Sequence, residues 1–122
     1  MSISAFEFTN YEVEVTLAGQ KFTMDCSTDT GDYLKEVSEK MRELADEYSK
    51  GKKTKDDLVT FGKGVIDRIL GDGAADKLLS GRTHLISDIS DICMYLGEIA
   101  AQFQNERKAQ TMNRAQRRAQ KK

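Results

Sequence analysis

Between Leu85 and Phe103 the large apolar residues Leu85, Ile89, Ile92, Leu96, Ile99 and Phe103 step by 4, 3, 4, 3 and 4. Ile86, Cys93 and Ala100 widen the stripe. This is the period of one unbroken amphipathic helix. Such a helix draws most of its stability from covering its apolar face, so the rest of the chain, or a partner, must supply the cover. No proline occurs anywhere in the sequence. Helices here therefore stop at caps and glycines.

Ser27-Thr28-Asp29-Thr30 is rich in capping side chains and opens a helix over residues 29–50. Its apolar positions Leu34, Val37, Met41, Leu44 and Tyr48 step by 3, 4, 3 and 4. Gly51-Lys52-Lys53 breaks it. Thr54 then reads as an N-cap with Asp57 at the third helical position, a capping-box variant. The helix that follows, over 54–70, has Leu58, Phe61, Val65 and Ile69 as its core face, weakened by Gly62 and Gly64. Gly71-Asp72-Gly73 ends it, Ala74 to Leu79 allow a short helical turn, and Gly81 stops that turn. The last helix is expected over 83–104.

The N-terminal part has a different period. Tyr11, Val13, Val15 and Leu17 alternate with Glu12, Glu14 and Thr16, and Phe22 and Met24 alternate with Lys21, Thr23 and Asp25. With Ala18-Gly19-Gln20 as the turn, residues 11–25 form a β-hairpin, which Phe6 and Phe8 extend backwards. An isolated hairpin is marginal in water, so its apolar face must rest on the helices or on another subunit. The expected fold is α+β and mostly α: an N-terminal hairpin, a three-helix body with a long last helix, and a basic C-terminal tail. Residues 1–104 make a single domain. At 122 residues and 13.7 kDa, such a chain can bury about two-thirds of its unfolded surface without staples.

From Asn105 onward Arg107, Lys108, Arg114, Arg117, Arg118, Lys121 and Lys122 face Glu106 alone, leaving about +6 on residues 105–122. The net charge of −1 then puts about −7 on the body. The tail has Met112 as its one large apolar residue. It cannot build a core and is expected to be a helical extension or disordered. No apolar run approaches the ~20 residues of a membrane span. The first residues lack the basic and apolar regions of a secretory leader. Cys26 and Cys93 fit reduced thiols better than a disulfide framework.

Catalysis finds little support. His84 is the single histidine, and Ser87 and Asp88 beside it are helical neighbours, not a preorganised triad. One histidine and two distant cysteines do not make a zinc set. Gly62-Lys63-Gly64 and Gly71-Asp72-Gly73 lack the spacing of a phosphate loop, and Asp72 lacks the further ligands of a calcium loop. No enzyme activity, metal or cofactor is expected. What remains is binding. Ile89, Ile92, Leu96, Ile99 and Phe103 are candidates for a helix-in-groove contact with a protein partner, and the edges of the hairpin favour homo-oligomers. The arginines of the tail would suit phosphates, although no aromatic residue there can stack on a base.

The hairpin Tyr11–Asp25, the acidic helical body and the ending Asn113-Arg114-Ala115-Gln116-Arg117-Arg118 together resemble the small tail assembly chaperones of phages and prophages of Gram-positive bacteria. The resemblance implies a non-enzymatic protein of the host bacterial cytoplasm. It would bind the tape measure protein, keep it soluble, and help tail-tube subunits assemble around it. A nucleic-acid-binding (RNA) regulator acting through the arginine-rich tail is the first alternative, and a structural tail or connector subunit the second. Under the chaperone reading nucleic-acid binding is weak or absent.

Overall fold

A computed structural model describes residues 10–120, with side chains described as far as Ala109. The elements are β1 (Glu12–Leu17), β2 (Gln20–Asp25), α1 (Thr28–Ser49), α2 (Lys55–Leu70), α3 (Ala74–Leu79) and α4 (Leu85–Gln120). The architecture is α+β and mostly helical, with the hairpin first and the longest helix last. No described helix is long and apolar enough to cross a membrane.

The two strands pair antiparallel, with Val15 opposite Phe22 and Leu17 opposite Gln20. Two residues are left to turn the chain, and both have positive φ: Ala18 at 50° and Gly19 at 76°. That is the type I′ geometry whose twist matches the flanking strands. Glycine adopts it freely, whereas alanine is strained there. Ala18→Asn, which creates the Asn-Gly pair suited to this turn, is therefore expected to stabilise the protein by about 0.5–1 kcal/mol. A thermal unfolding comparison checks this.

The alternation in β1 and β2 does what its period requires. Val15 and Met24 are buried, Val13, Leu17 and Phe22 are partly buried, and Glu14, Thr16, Lys21 and Thr23 face water. The covered face of the hairpin lies in one core with all four helices, among residues such as Val37, Ile66, Leu79 and Leu96. Gln20 Nε2 also donates to the carbonyl of Lys77 at 3.2 Å, tying the turn end of the hairpin to α3.

The helix starts follow the capping logic. Ser27 is the N-cap of α1 and accepts from the Thr30 N–H, while Asp25 accepts from the hydroxyls of Ser27 and Thr30. Thr54 and Asp57 complete a reciprocal box at α2: Asp57 N donates to Thr54 Oγ1 at 3.2 Å, and Thr54 N donates to Asp57 Oδ2 at 2.8 Å. Asp67, one turn before the end of α2, accepts from Ala75 N at 2.9 Å and so caps the start of α3. Here α3 is a fourth helix, where the sequence allowed only a helical turn, and it buries Ala74, Ala75, Leu78 and Leu79.

Two core faces differ from expectation. In α1 the stripe holds through Leu34, Val37 and Leu44, but Tyr48 is 45% exposed. Leu44 and Ala45 already stand level with Ile86, near the start of α4, so one turn further on little is left to cover a side chain. In α2 the buried residues are Gly62, Val65, Ile66 and Leu70, with Leu58, Phe61 and Ile69 only partly buried. The face is rotated towards Gly62 because a glycine there lets α4 come close. A Cβ on Gly62 would collide with Cγ2 of Ile89. Helix α4 runs to Gln120, continuing past residue 104 into the basic tail, for which a helical extension is one of the two expectations. Phe6, Phe8, Lys121 and Lys122 lie outside the described residues.

Candidate functional site

The stripe of α4 divides between core and surface. Ile89 is 2% exposed and Leu96 0%, so both are spent on this chain's own core and cannot also contact a partner. That removes two of the five residues expected to bind one. Ile92, Ile99 and Phe103 remain partly buried at the margins of the core. On the outer side Met94 is 67% exposed and Tyr95 42%. The sequence stripe passes between these two residues and hides them. Their signal is that α4 is apolar well beyond the face a small body can cover.

Tyr95, Ile99 and Phe103 line one wall of a groove whose other wall is β1, through Val13 and Val15. The space measures about 390 Å³, and Glu14, Gln102 and Glu106 stand on its rim. Apolar and polar side chains share the lining; Glu14 is ion-paired with Lys21 at 3.5 Å and Glu106 accepts from Gln102 Nε2 at 3.3 Å, an arrangement that suits the apolar face of an amphipathic segment. Beside the groove, the Tyr11 ring lies 6.0 Å from that of Phe103. Arg107 stands 5.0 Å over the Tyr11 ring and donates from Nη1 to Tyr11 Oη at 2.8 Å. A neighbouring tie runs from Gln104 Nε2 to the carbonyl of Cys26 at 2.9 Å.

Arg107, read from the sequence as part of the basic tail, is thus a clamp that locks α4 onto the hairpin. Its planar fork can stack and hydrogen-bond at once, which a lysine cannot do. Lys108 stands at the end of a second groove, between α1 and α4. The side chains of Arg114, Arg117 and Arg118 lie outside those described, as do Lys121 and Lys122.

Several titratable groups are engaged in structure. His84 is exposed, and its carbonyl accepts from the Asp88 N–H in the first turn of α4. Both oxygens of Asp88 are taken by Arg82, through Nε at 2.9 Å and Nη2 at 3.0 Å. Those bonds hold the Asp88 carboxyl below its usual range, as the Thr54 bonds do for Asp57 and the Ser27 hydroxyl does for Asp25. A carboxyl lowered in the folded state stabilises above its unfolded pKa of about 3.9, and the contribution is lost as pH falls through the folded value. These three carboxylates should therefore leave the melting temperature flat from pH 5 to 8 and lower it below about pH 4. A pH series of thermal unfolding measures it. Burial pushes the Cys93 thiol up to about 11, and burial together with the Asp25 carboxylate raises that of Cys26.

Residues 18–121 match the model of DUF6673, a family of unknown function. No curated protein and no solved structure matches the chain.

Proposed function

The chain belongs to the DUF6673 family, and we propose that it is a non-enzymatic assembly chaperone that holds an apolar helical segment of another protein. The observation that carries this reading is the groove between β1 and α4, floored by Val13, Tyr95, Ile99 and Phe103 and rimmed by Glu14 and Glu106. A phage tape measure protein has the right chemistry for this groove, because its long helices present apolar faces that need cover until the tail tube surrounds them. The resemblance to tail assembly chaperones supports that partner, and with it a place in the host bacterial cytoplasm. The basic tail adds steering towards acidic stretches of the partner.

Co-expression with a tagged coiled-coil segment of a tape measure protein tests the reading. The wild-type chain should keep the segment soluble and co-purify with it. Tyr95→Lys changes a 42% exposed side chain, so it should leave the unfolding free energy within about 0.5 kcal/mol of wild type. Capture should nevertheless fall at least tenfold, the consequence of placing an ammonium on the apolar floor. Equal capture by Tyr95→Lys, or loss of capture only when residues 105–122 are removed, overturns the assignment to this groove. Tight, sequence-selective RNA binding at physiological salt would favour the regulator instead.

A further inference from the structure

The flank of α4 opposite Tyr95 carries a second, longer opening. It runs between α1 and α4, from Met41 and Ser90 at one end to Thr28, Gln104 and Lys108 at the other. The two helices are therefore antiparallel along it. Its α4 wall is Ser90, Met94, Gly97 and Ala101, at steps of 4, 3 and 4. This is a second helical seam, distinct from the core stripe and made of small residues around one exposed methionine. A Cβ on Gly97 would meet nothing within 4 Å, so the seam is open where a packed helix pair would be filled.

We infer that this groove is the interface between two copies of the chain, with α4 of each copy lying antiparallel in the other's α1–α4 groove and the helices crossing at Gly97. Three observations favour a second copy over a foreign helix. The first is shape. A two-fold axis at Gly97 brings the same small seam onto itself, which is what an isologous contact needs, and glycine at the crossing allows close approach.

The second is charge. The α1 rim of the groove bears Lys35 and Arg42 with Asp32 towards one end, and the α4 wall bears Glu98 with Lys108 at that same end. None of these five joins the ion pairs found among the described residues. In an antiparallel crossing near Gly97 each Glu98 is carried across to the partner's α1 rim, between Lys35 and Arg42. The pairing is made twice, once by each copy.

The third is area. From Ser90 to Lys108 the α4 wall is about 27 Å long at 1.5 Å per residue, and α1 with α4 is about 20 Å wide. That gives roughly 1,100 Å² for both copies together, below the standard specific interface but above the ~1,000 Å² a real one should clear. A contact of that size belongs with weak associations, and micromolar affinity is the expectation. Its interface is separate from the β1–α4 groove, so it stands or falls independently of the proposed function.

Sedimentation velocity of the full chain over a concentration series tests the inference. The wild type should pass from monomer to dimer between about 1 and 100 µM, as for a micromolar dissociation constant. Gly97→Leu fills open space on a helix surface and should keep the fold, shown by an unchanged melting temperature, while weakening the dimer by about 30-fold or more. Glu98→Lys alone and Lys35→Glu alone should each weaken it by about tenfold, and the two together should restore it. Tyr95→Lys should leave it unchanged. A monomer throughout the series, a dimer indifferent to Gly97→Leu, or an exchange of charges that fails to restore association overturns the inference.

Discussion

Replacing Leu96 by alanine is expected to destabilise the protein by about 2–5 kcal/mol. Leu96 is 0% exposed and belongs to the single core that joins the hairpin to the four helices. Truncation leaves a cavity that rigid neighbours cannot fill. Domains of this kind have about 5–15 kcal/mol in total, so the loss is a large share. Leu96→Asp should go further and prevent folding, because a carboxylate would have to be buried without a partner. Chemical denaturation of Leu96→Ala measures the first effect. A loss under about 1 kcal/mol would mean that Leu96 is not a core residue and would return it to the candidates for partner contact.

Gly62→Ala is the second large effect, and its sign is the informative part. Alanine is favoured over glycine inside a helix by about 1 kcal/mol, so propensity alone predicts stabilisation. The new Cβ, however, would run into Cγ2 of Ile89 and stand only 3.1 Å from its Cδ1 and 3.4 Å from its Cβ. Isoleucine in a helix holds essentially one χ1 rotamer. It cannot swing aside, so α2 and α4 must separate, which costs about 1–3 kcal/mol. The expected net result is a loss of up to about 2 kcal/mol. Gly64→Ala, two residues on, meets open space on an exposed position and should gain up to ~1 kcal/mol. Unfolding curves of the two variants should move in opposite directions. If both gain stability, the close approach of the two helices is wrong.

Gly62 also marks where the sequence stops being legible. Periodicity and capping chemistry found the hairpin, the cap-rich segment Ser27–Thr30, the cap at Thr54 and the path of α4, because those follow from local chemistry. It could not find the core face of α2. A search for large apolar residues selects Leu58 and Phe61, whereas the interface is centred on the residue with no side chain. The same blindness affects the site. The stripe on α4 identified Ile99 and Phe103 but also Ile89 and Leu96, and only the position of β1 and the other helices decides which flank is covered. Tyr95 and Met94 fall outside the stripe, so their exposure is visible only once the helix is seated. Arg107 counted as one charge of a basic run. Its role as a clamp depends on Tyr11, far away in sequence and beside it in the fold.

The central proposal divides α4: Ile89 and Leu96 hold the body together, and Tyr95, Ile99 and Phe103, with β1, are the proposed contact for a partner. Amide chemical shifts of the full-length isotope-labelled chain, titrated with a coiled-coil segment of a tape measure protein, test it most directly. The account predicts saturable changes at Val13 to Thr16 and Tyr95 to Phe103, absent from α3 and lost in Tyr95→Lys. Changes confined to residues 105–122, or none at saturating peptide, would contradict it.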